Sequence, residues 1–269
     1  MRGTSSSTLG AATDRIETVL GGPEAERLGE ELLSVSRVLD SSAGLRRALT
    51  DPSRGGEDKA ALVQRLLGSQ MSGTTVDVVS GLARGRWSSG RDLADACEEL
   101  GVLATVGAAE QAGTLEELED ELFRFGRIVD GDPALTAAFS DRAVAPERKT
   151  ALVDRLLSGK VSPQALLLAR TAAAYPRGRR LPAVLADIGE AVAHRRNRAV
   201  ARVTSAVPLT EAQRSRLTAA LGRVYGRSMH LNVDVDPQVV GGLRVQVGDE
   251  VMDASVVTRL AEARRRLGG

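Results

Sequence analysis

Through the first three quarters of the chain, apolar residues recur at three- and four-residue spacing, the period of helices that bury one face. Leu9, Ala12, Ile16, Val19 and Leu20 share one stripe, and Leu28, Leu32, Val35 and Leu39 form the next, so residues 4–40 read as two helices. Gly21-Gly22-Pro23 separates them, with Pro23 suited to a helix start. Leu45–Leu49 predicts a short helix ending before Asp51-Pro52. Lys59–Leu67 predicts another, stopped at Gly68, and Thr74–Ala83 a fifth. After a break at Gly85–Gly90, Leu93, Cys97, Leu100 and Leu103 mark a long helix.

The pattern then starts again. Shifted by 90 residues, 45–67 lies on 135–157 without a gap, and eleven of the 23 positions are identical. Lys59, Ala61, Leu62, Val63, Arg65, Leu66 and Leu67 match Lys149, Ala151, Leu152, Val153, Arg155, Leu156 and Leu157. Leu115, Leu118, Leu122, Phe125 and Val129 predict a helix before this segment, and Leu166–Ala174 one after it. The break at 176–180 parallels 85–90, and Leu181, Val184, Leu185, Ile188 and Val192 mark a last long helix. The match spans a turn as well as a helix, which points to an internal duplication.

From Val203 the period changes to two. Val203–Val207 reads as a strand ending at Pro208. Thr210 caps a helix carrying Leu217, Leu221 and Val224, with Gly226 as its stop. Met229, Leu231, Val233 and Val235 alternate as a second strand, which Asp236-Pro237 breaks. Gly241-Gly242 allows a tight bend before the third alternation, Leu243, Val245 and Val247. The fold class expected is mainly α with a small α+β C-terminal domain. Two tandem helical bundles, 1–105 and 106–198, precede a mixed strand and helix domain over 199–269.

The ordered series Ser205, Pro208, Asp236-Pro237, Gly241-Gly242, Gly248, Asp253, Ser255 and Leu260 resembles the delta subunit family of bacterial F-type ATP synthase, whose mitochondrial counterpart is the oligomycin-sensitivity-conferring protein. The likeness covers the last quarter of the chain. It implies a non-catalytic stator of the peripheral stalk. A helical bundle would grip the N-terminal segments of alpha subunits, and the C-terminal domain would hold the C-terminal region of the membrane-anchored b subunit. The family has one N-terminal bundle, so two bundles depart from its pattern. Family roles transfer more directly to the second bundle, which is contiguous with the C-terminal domain.

Composition narrows the chemistry. The 269 residues hold one Trp, two Tyr and three Phe, so the cores must be built from Ala, Leu and Val. Net charge is +1, which gives no global basic field for nucleic acid, and few rings are available to stack on single strands. The single cysteine, Cys97, excludes an internal disulfide and sits at helical spacing as a buried thiol. No apolar run approaches the roughly 20 residues of a membrane span, and the N-terminus lacks the apolar centre of a signal peptide. The expectation is a soluble protein at the cytoplasmic face of the cell membrane, held there through partner subunits.

Catalytic and ligand motifs are sparse. Ser158-Gly159-Lys160 lacks the upstream glycine and following hydroxyl of a phosphate loop and reads as a helix end. His194, in the basic run 194–198, reads as a solvated helix end or a patch for an acidic partner, and His230 as a solvent-facing strand residue. Asp234, Asp236, Asp249 and Asp253 fit no calcium-loop spacing; Asp236 reads as a turn former and Asp253 as the cap of a final helix. No metal or cofactor is expected. What remains is binding surface: an apolar groove in the second bundle for an amphipathic helix, and a final helix with Val256, Val257, Leu260 and Ala261 beside Arg264–Arg266. The alternative is a helical regulatory or nucleic-acid-binding adaptor using arginine-rich segments 176–180 and 194–198; an enzyme with an unrecognised site ranks below both.

Overall fold

The computed structural model describes residues 3–20, 22–198, 200–225, 229–236, 242–247 and 250–253. Twelve helices and four strands lie among them. The chain divides into two compact units, Met1–Val192 and Ala193–Gly269.

The first unit is helical: α1 (Thr4–Leu20), α2 (Ala25–Ser41), α3 (Ala43–Thr50), α4 (Gly56–Leu67), α5 (Gly73–Arg84), α6 (Gly90–Ala112), α7 (Leu115–Gly131), α8 (Pro133–Ser140), α9 (Pro146–Leu157) and α10 (Pro163–Ala174), with α11 (Leu181–Arg198) beginning in it and ending past its last residue, Val192. The bounds of α2 to α5 shifted by 90 are the bounds of α7 to α10. Local chemistry repeats with them. Ser72 caps α5 by accepting from Thr75 N at 3.3 Å, and Ser162 caps α10 by accepting from Ala165 N at 3.2 Å. Each cap serine is held by a carboxylate at the same offset. Glu31 accepts from Ser72 Oγ at 2.6 Å, and Glu121 accepts from Ser162 Oγ at 2.6 Å. Lys59 and Lys149 are both buried, and each ends its ammonium on a backbone carbonyl, Gly85 at 3.1 Å and Phe139 at 2.8 Å. A buried charge needs such a partner.

Two apolar clusters fill this unit. One runs from Leu9 to Ala104, and the other from Val106 to Val192. Helix α6 supplies both. Leu93, Cys97, Leu100 and Ala104 face the first cluster, while Val106 and Ala109 face the second. At 100° per residue these sets lie on opposite sides of the helix. Helix α6 is therefore the last helix of one bundle and the first helix of the next, so the boundary expected at 105/106 falls inside it. The helix runs through the change unbroken, because a helix apolar on two faces needs no interruption. In the second cluster Phe125 and Phe139 meet edge to face, with centroids 6.2 Å apart.

The second unit holds β1 (Val200–Ser205), α12 (Glu211–Tyr225), β2 (His230–Val235), β3 (Leu243–Val247) and β4 (Glu250–Asp253). Sheet order is β2-β1-β3-β4; β1 and β2 are parallel and the other pairs antiparallel. Helix α12 makes the crossover that a parallel pair requires. Thr210 and Gln213 form a reciprocal cap: Gln213 N donates to Thr210 Oγ1 at 3.3 Å, and Thr210 N donates to Gln213 Oε1 at 2.8 Å. Leu217, Leu221 and Tyr225 pack on Ala201, Val203, Val245 and Val247. Val224, expected on that face, is instead 71% exposed, because Tyr225 completes the i, i+4, i+8 stripe. Strand β4 was not anticipated; four residues with two acidic ends carry no clear alternation. The final helix expected from Val256 lies outside the described residues.

The fold class read from the sequence is the one observed: mainly helical, with two tandem bundles and a small mixed unit after them.

Candidate functional site

Small residues shape a groove between α1 and α5. Thr8, Ala11, Ala12 and Arg15 form one wall, and Val78, Gly81, Arg84 and Gly85 the other, around a cavity of about 340 Å³. The wall is anchored at its start. Ser5 is buried; its Oγ donates to Asp92 Oδ2 at 2.6 Å and accepts from Ser88 N at 2.8 Å. Thr8 Oγ1 donates to Arg86 O at 3.1 Å. Arg84 is tied to Glu57 at 2.8 Å, whereas Arg15 is exposed beside Gly81. The floor is thus apolar and narrow, with a cation on its rim.

The duplication supplies a second copy of this surface. Ala11, Arg15, Val78 and Gly81 correspond at +90 to Gly101, Thr105, Leu168 and Thr171. The first four are exposed or half-buried, and all four counterparts are buried. Helix α2 of the first bundle covers the two on α6, Gly101 and Thr105. Leu33 sits where a Cβ on Gly101 would meet its Cγ at 2.8 Å, and Thr105 sits where a Cβ on Gly29 would meet its Oγ1 at 2.5 Å. Glycines at 29 and 101 are what allow this approach. On the other wall, Gln164 of α10 donates to Glu26 of α2 at 3.3 Å. The sequence reading expected the groove on the second bundle; there α2 lies against the α6 wall.

A half-buried charge cluster fastens the cover. Arg177 and Gly178 both take the left-handed backbone region, at φ 52° and 81°. That is uncommon for arginine and aims its side chain back toward the first bundle. Its guanidinium meets Asp40 at 3.0 Å, Glu98 at 2.7 Å and Asp95, and donates to Ser36 Oγ at 2.9 Å. Ser36 Oγ in turn donates to Ala94 O at 2.9 Å. Three carboxylates share one guanidinium, and burial with Asp40 nearby pushes the Glu98 carboxyl up to about 7. Arg179 pairs with Asp187, and Arg180 with Asp130 at 2.7 Å. Arg177 is thus engaged within the chain, while Arg179 and Arg180 stay at the surface beside their carboxylate partners.

Of the residues singled out in the C-terminal quarter, two come together. Asp236 N donates to Ser205 O at 2.9 Å, continuing the β1–β2 ladder by one bond. Ser205 is buried, and its Oγ donates to Val207 O at 2.7 Å, which closes the turn before Pro208. Gly242 has φ 81° at the entry to β3, the conformation the Gly-Gly bend was expected to need. Asp253 ends β4 opposite Arg244. Pro237, Gly241, Gly248, Ser255 and Leu260 lie outside the described residues, as do the side chains of His230 and Asp253. Tyr225 Oη donates to Glu250 Oε2 at 2.8 Å, a tie between α12 and β4 that no motif announced.

Other candidates resolve simply. Cys97 is buried, and burial with Asp40 nearby pushes its thiol up to about 12, so it is inert. Gly159 has φ 71°, the geometry of a helix stop, and Lys160 Nζ donates to Leu156 O at 2.9 Å. His194 is exposed, but Arg195 in the same run is buried, so the run is not uniformly solvated. Among the described residues no cluster of His, Cys, Asp and Glu could hold a metal, and no helix is long and apolar enough to cross a membrane.

Comparison with known proteins decides the family. The description "ATP synthase delta (OSCP) subunit" matches residues 102–267. The chain belongs to the ATP synthase delta (OSCP) subunit family. Relatives named ATP synthase subunit delta match over nearly the whole length. That of Beutenbergia cavernae is 53% identical, covering 100% of both chains; that of Kineococcus radiotolerans is 51% identical, covering 99% of this chain and 98% of its own. A chain of the Toxoplasma gondii mitochondrial ATP synthase hexamer matches 62% of this chain and 95% of its own at 19% identity, but its TM-score of 0.29 lends no weight to the fold. Membership makes the chain a peripheral-stalk component of an F-type ATP synthase, in a family of non-catalytic subunits. The family match begins within α6, so α1 to α5 lie outside it, although the full-length relatives include them.

Proposed function

We propose that the α1–α5 groove seats the N-terminal segment of an alpha subunit, and that the strand-bearing unit holds the C-terminal region of b. The chain would then clamp the catalytic head to the stalk at the cytoplasmic face of the membrane, resisting rotor torque and reaching the membrane only through other subunits. Catalysis would lie in those subunits.

The observation that carries the alpha seat is internal to the molecule. The same surface in the second bundle is filled by a helix, α2, through Gly29, Leu33 and Ser36. A groove whose duplicate accepts a helix has the shape to accept one. Its small floor suits a close-packed apolar stripe, and exposed Arg15 suits an acidic residue beside that stripe. The test is titration of the whole chain with alpha N-terminal and b C-terminal peptides at physiological salt. Gly81→Glu should weaken the alpha peptide at least tenfold and leave the b peptide unchanged. Loss of both, or of neither, would reject the assignment.

A further inference from the structure

We infer that α2 is a permanent resident of the second bundle's groove, so that the chain offers one seat for a partner helix although the duplication built two. This rests on the docking reading above and goes beyond it, because it fixes stoichiometry and says which half binds.

Helix α2 lies on α6 with backbone-close contacts at Gly29 against Thr105 and Leu33 against Gly101, distances that leave no room for an intervening side chain. Leu28, Leu32, Val35 and Leu39 on the same helix are in the first bundle's core, so α2 cannot lift off α6 without opening that core. Removing four such side chains from contact would expose far more apolar surface than a short partner helix could re-cover. Arg177 adds a polar clasp, with Asp40 and Ser36 on α2 and Asp95 and Glu98 on α6 held by one guanidinium. The contact is head to tail: a groove of one copy takes a helix of the other, leaving the groove of the leading copy open.

The experiment separates this from the docking reading. Cysteines are placed at Glu26→Cys and Gln164→Cys, which lie across the α2–α10 contact, and joined with a short bis-maleimide; Cys97 is buried and does not compete. Labelled alpha N-terminal peptide is titrated into the chain with and without the cross-link. The inference expects one peptide per chain in both forms, Kd unchanged within twofold, and at least tenfold weakening by Gly81→Glu in both. Loss of binding only on cross-linking would show that the peptide displaces α2 and would overturn it. So would two peptides per uncross-linked chain. No binding by any form would reject the docking reading itself and the inference with it.

Discussion

The two helical bundles are related in sequence and match in the bounds of four helices, yet they differ at one surface. Their interiors correspond closely. Leu28, Leu32, Val35 and Leu39 match Leu118, Leu122, Phe125 and Val129, and all eight are buried. Their exteriors diverge where the copies meet. Leu33 is fully buried against Gly101, while its counterpart Phe123 is 67% exposed. Conversely, Ala11 and Arg15 are exposed, while Gly101 and Thr105 are buried. Duplication preserves what each bundle needs to fold. It cannot preserve the environment of a surface that one copy covers and the other leaves open. The residues changed accordingly: a glycine at 101 where 11 is alanine, and a threonine at 105 where 15 is arginine.

This contrast can be broken most directly at the buried glycine. Gly101→Leu should cost about 3 kcal/mol, because its Cβ alone would meet Leu33 at 2.8 Å. Ala11→Leu, at the open counterpart, should change stability by no more than about 0.5 kcal/mol. Equal urea midpoints for the two variants would end the distinction between open and closed surfaces. Leu33→Ala should cost about 3 kcal/mol by leaving a cavity, and Phe123→Ala about 0.5 kcal/mol or less.

A smaller effect tests what the copies share. Burial opposes ionisation of Glu31, but the Ser72, Thr75 and Arg27 side chains and the Ser72 N–H outweigh it and hold the carboxyl at about 2. Its folded value lies below the unfolded one, so its contribution is present above pH 4.5 and is lost as pH falls toward 2. Glu31→Gln should cost about 1–2 kcal/mol at pH 7 and remove that acid dependence. Glu121→Gln, whose partner is the equivalent serine Ser162, should cost about as much by thermal melting. A tenfold smaller effect at one site would mean the repeated cap is not equivalent.

The smallest expected effect is a pH profile at the junction. Glu98 has its folded value raised to about 7, so the folded state binds the extra proton. Stability should therefore decline as pH rises from about 4.5 through 7, the opposite sign to Glu31. Glu98→Gln should flatten that decline, read as melting temperature against pH. An unchanged slope would show that Arg177 compensates all three carboxylates on its own.

Much of this was legible in the chain itself. Period-3.6 stripes placed the helices, period-2 alternation placed three strands, and the 90-residue offset announced the copies. The ordered residues from Ser205 to Leu260 pointed to the family. These signals are local, arising from burial of one face per element and from turns that need glycine or proline. A groove was read on the second bundle but not the one between α1 and α5, although a hint existed: extending the 90-residue comparison past 45–67 pairs Ala11 with Gly101 and Gly81 with Thr171. Which of two similar surfaces is covered depends on how one bundle stacks on the next. The packing of α2 on α6 and α10, the sharing of α6 between two cores, and the meeting of Arg177 with residues 40, 95 and 98 are contacts between distant segments. No periodicity within a segment encodes them, so only the tertiary structure could decide that one groove is closed and the other open.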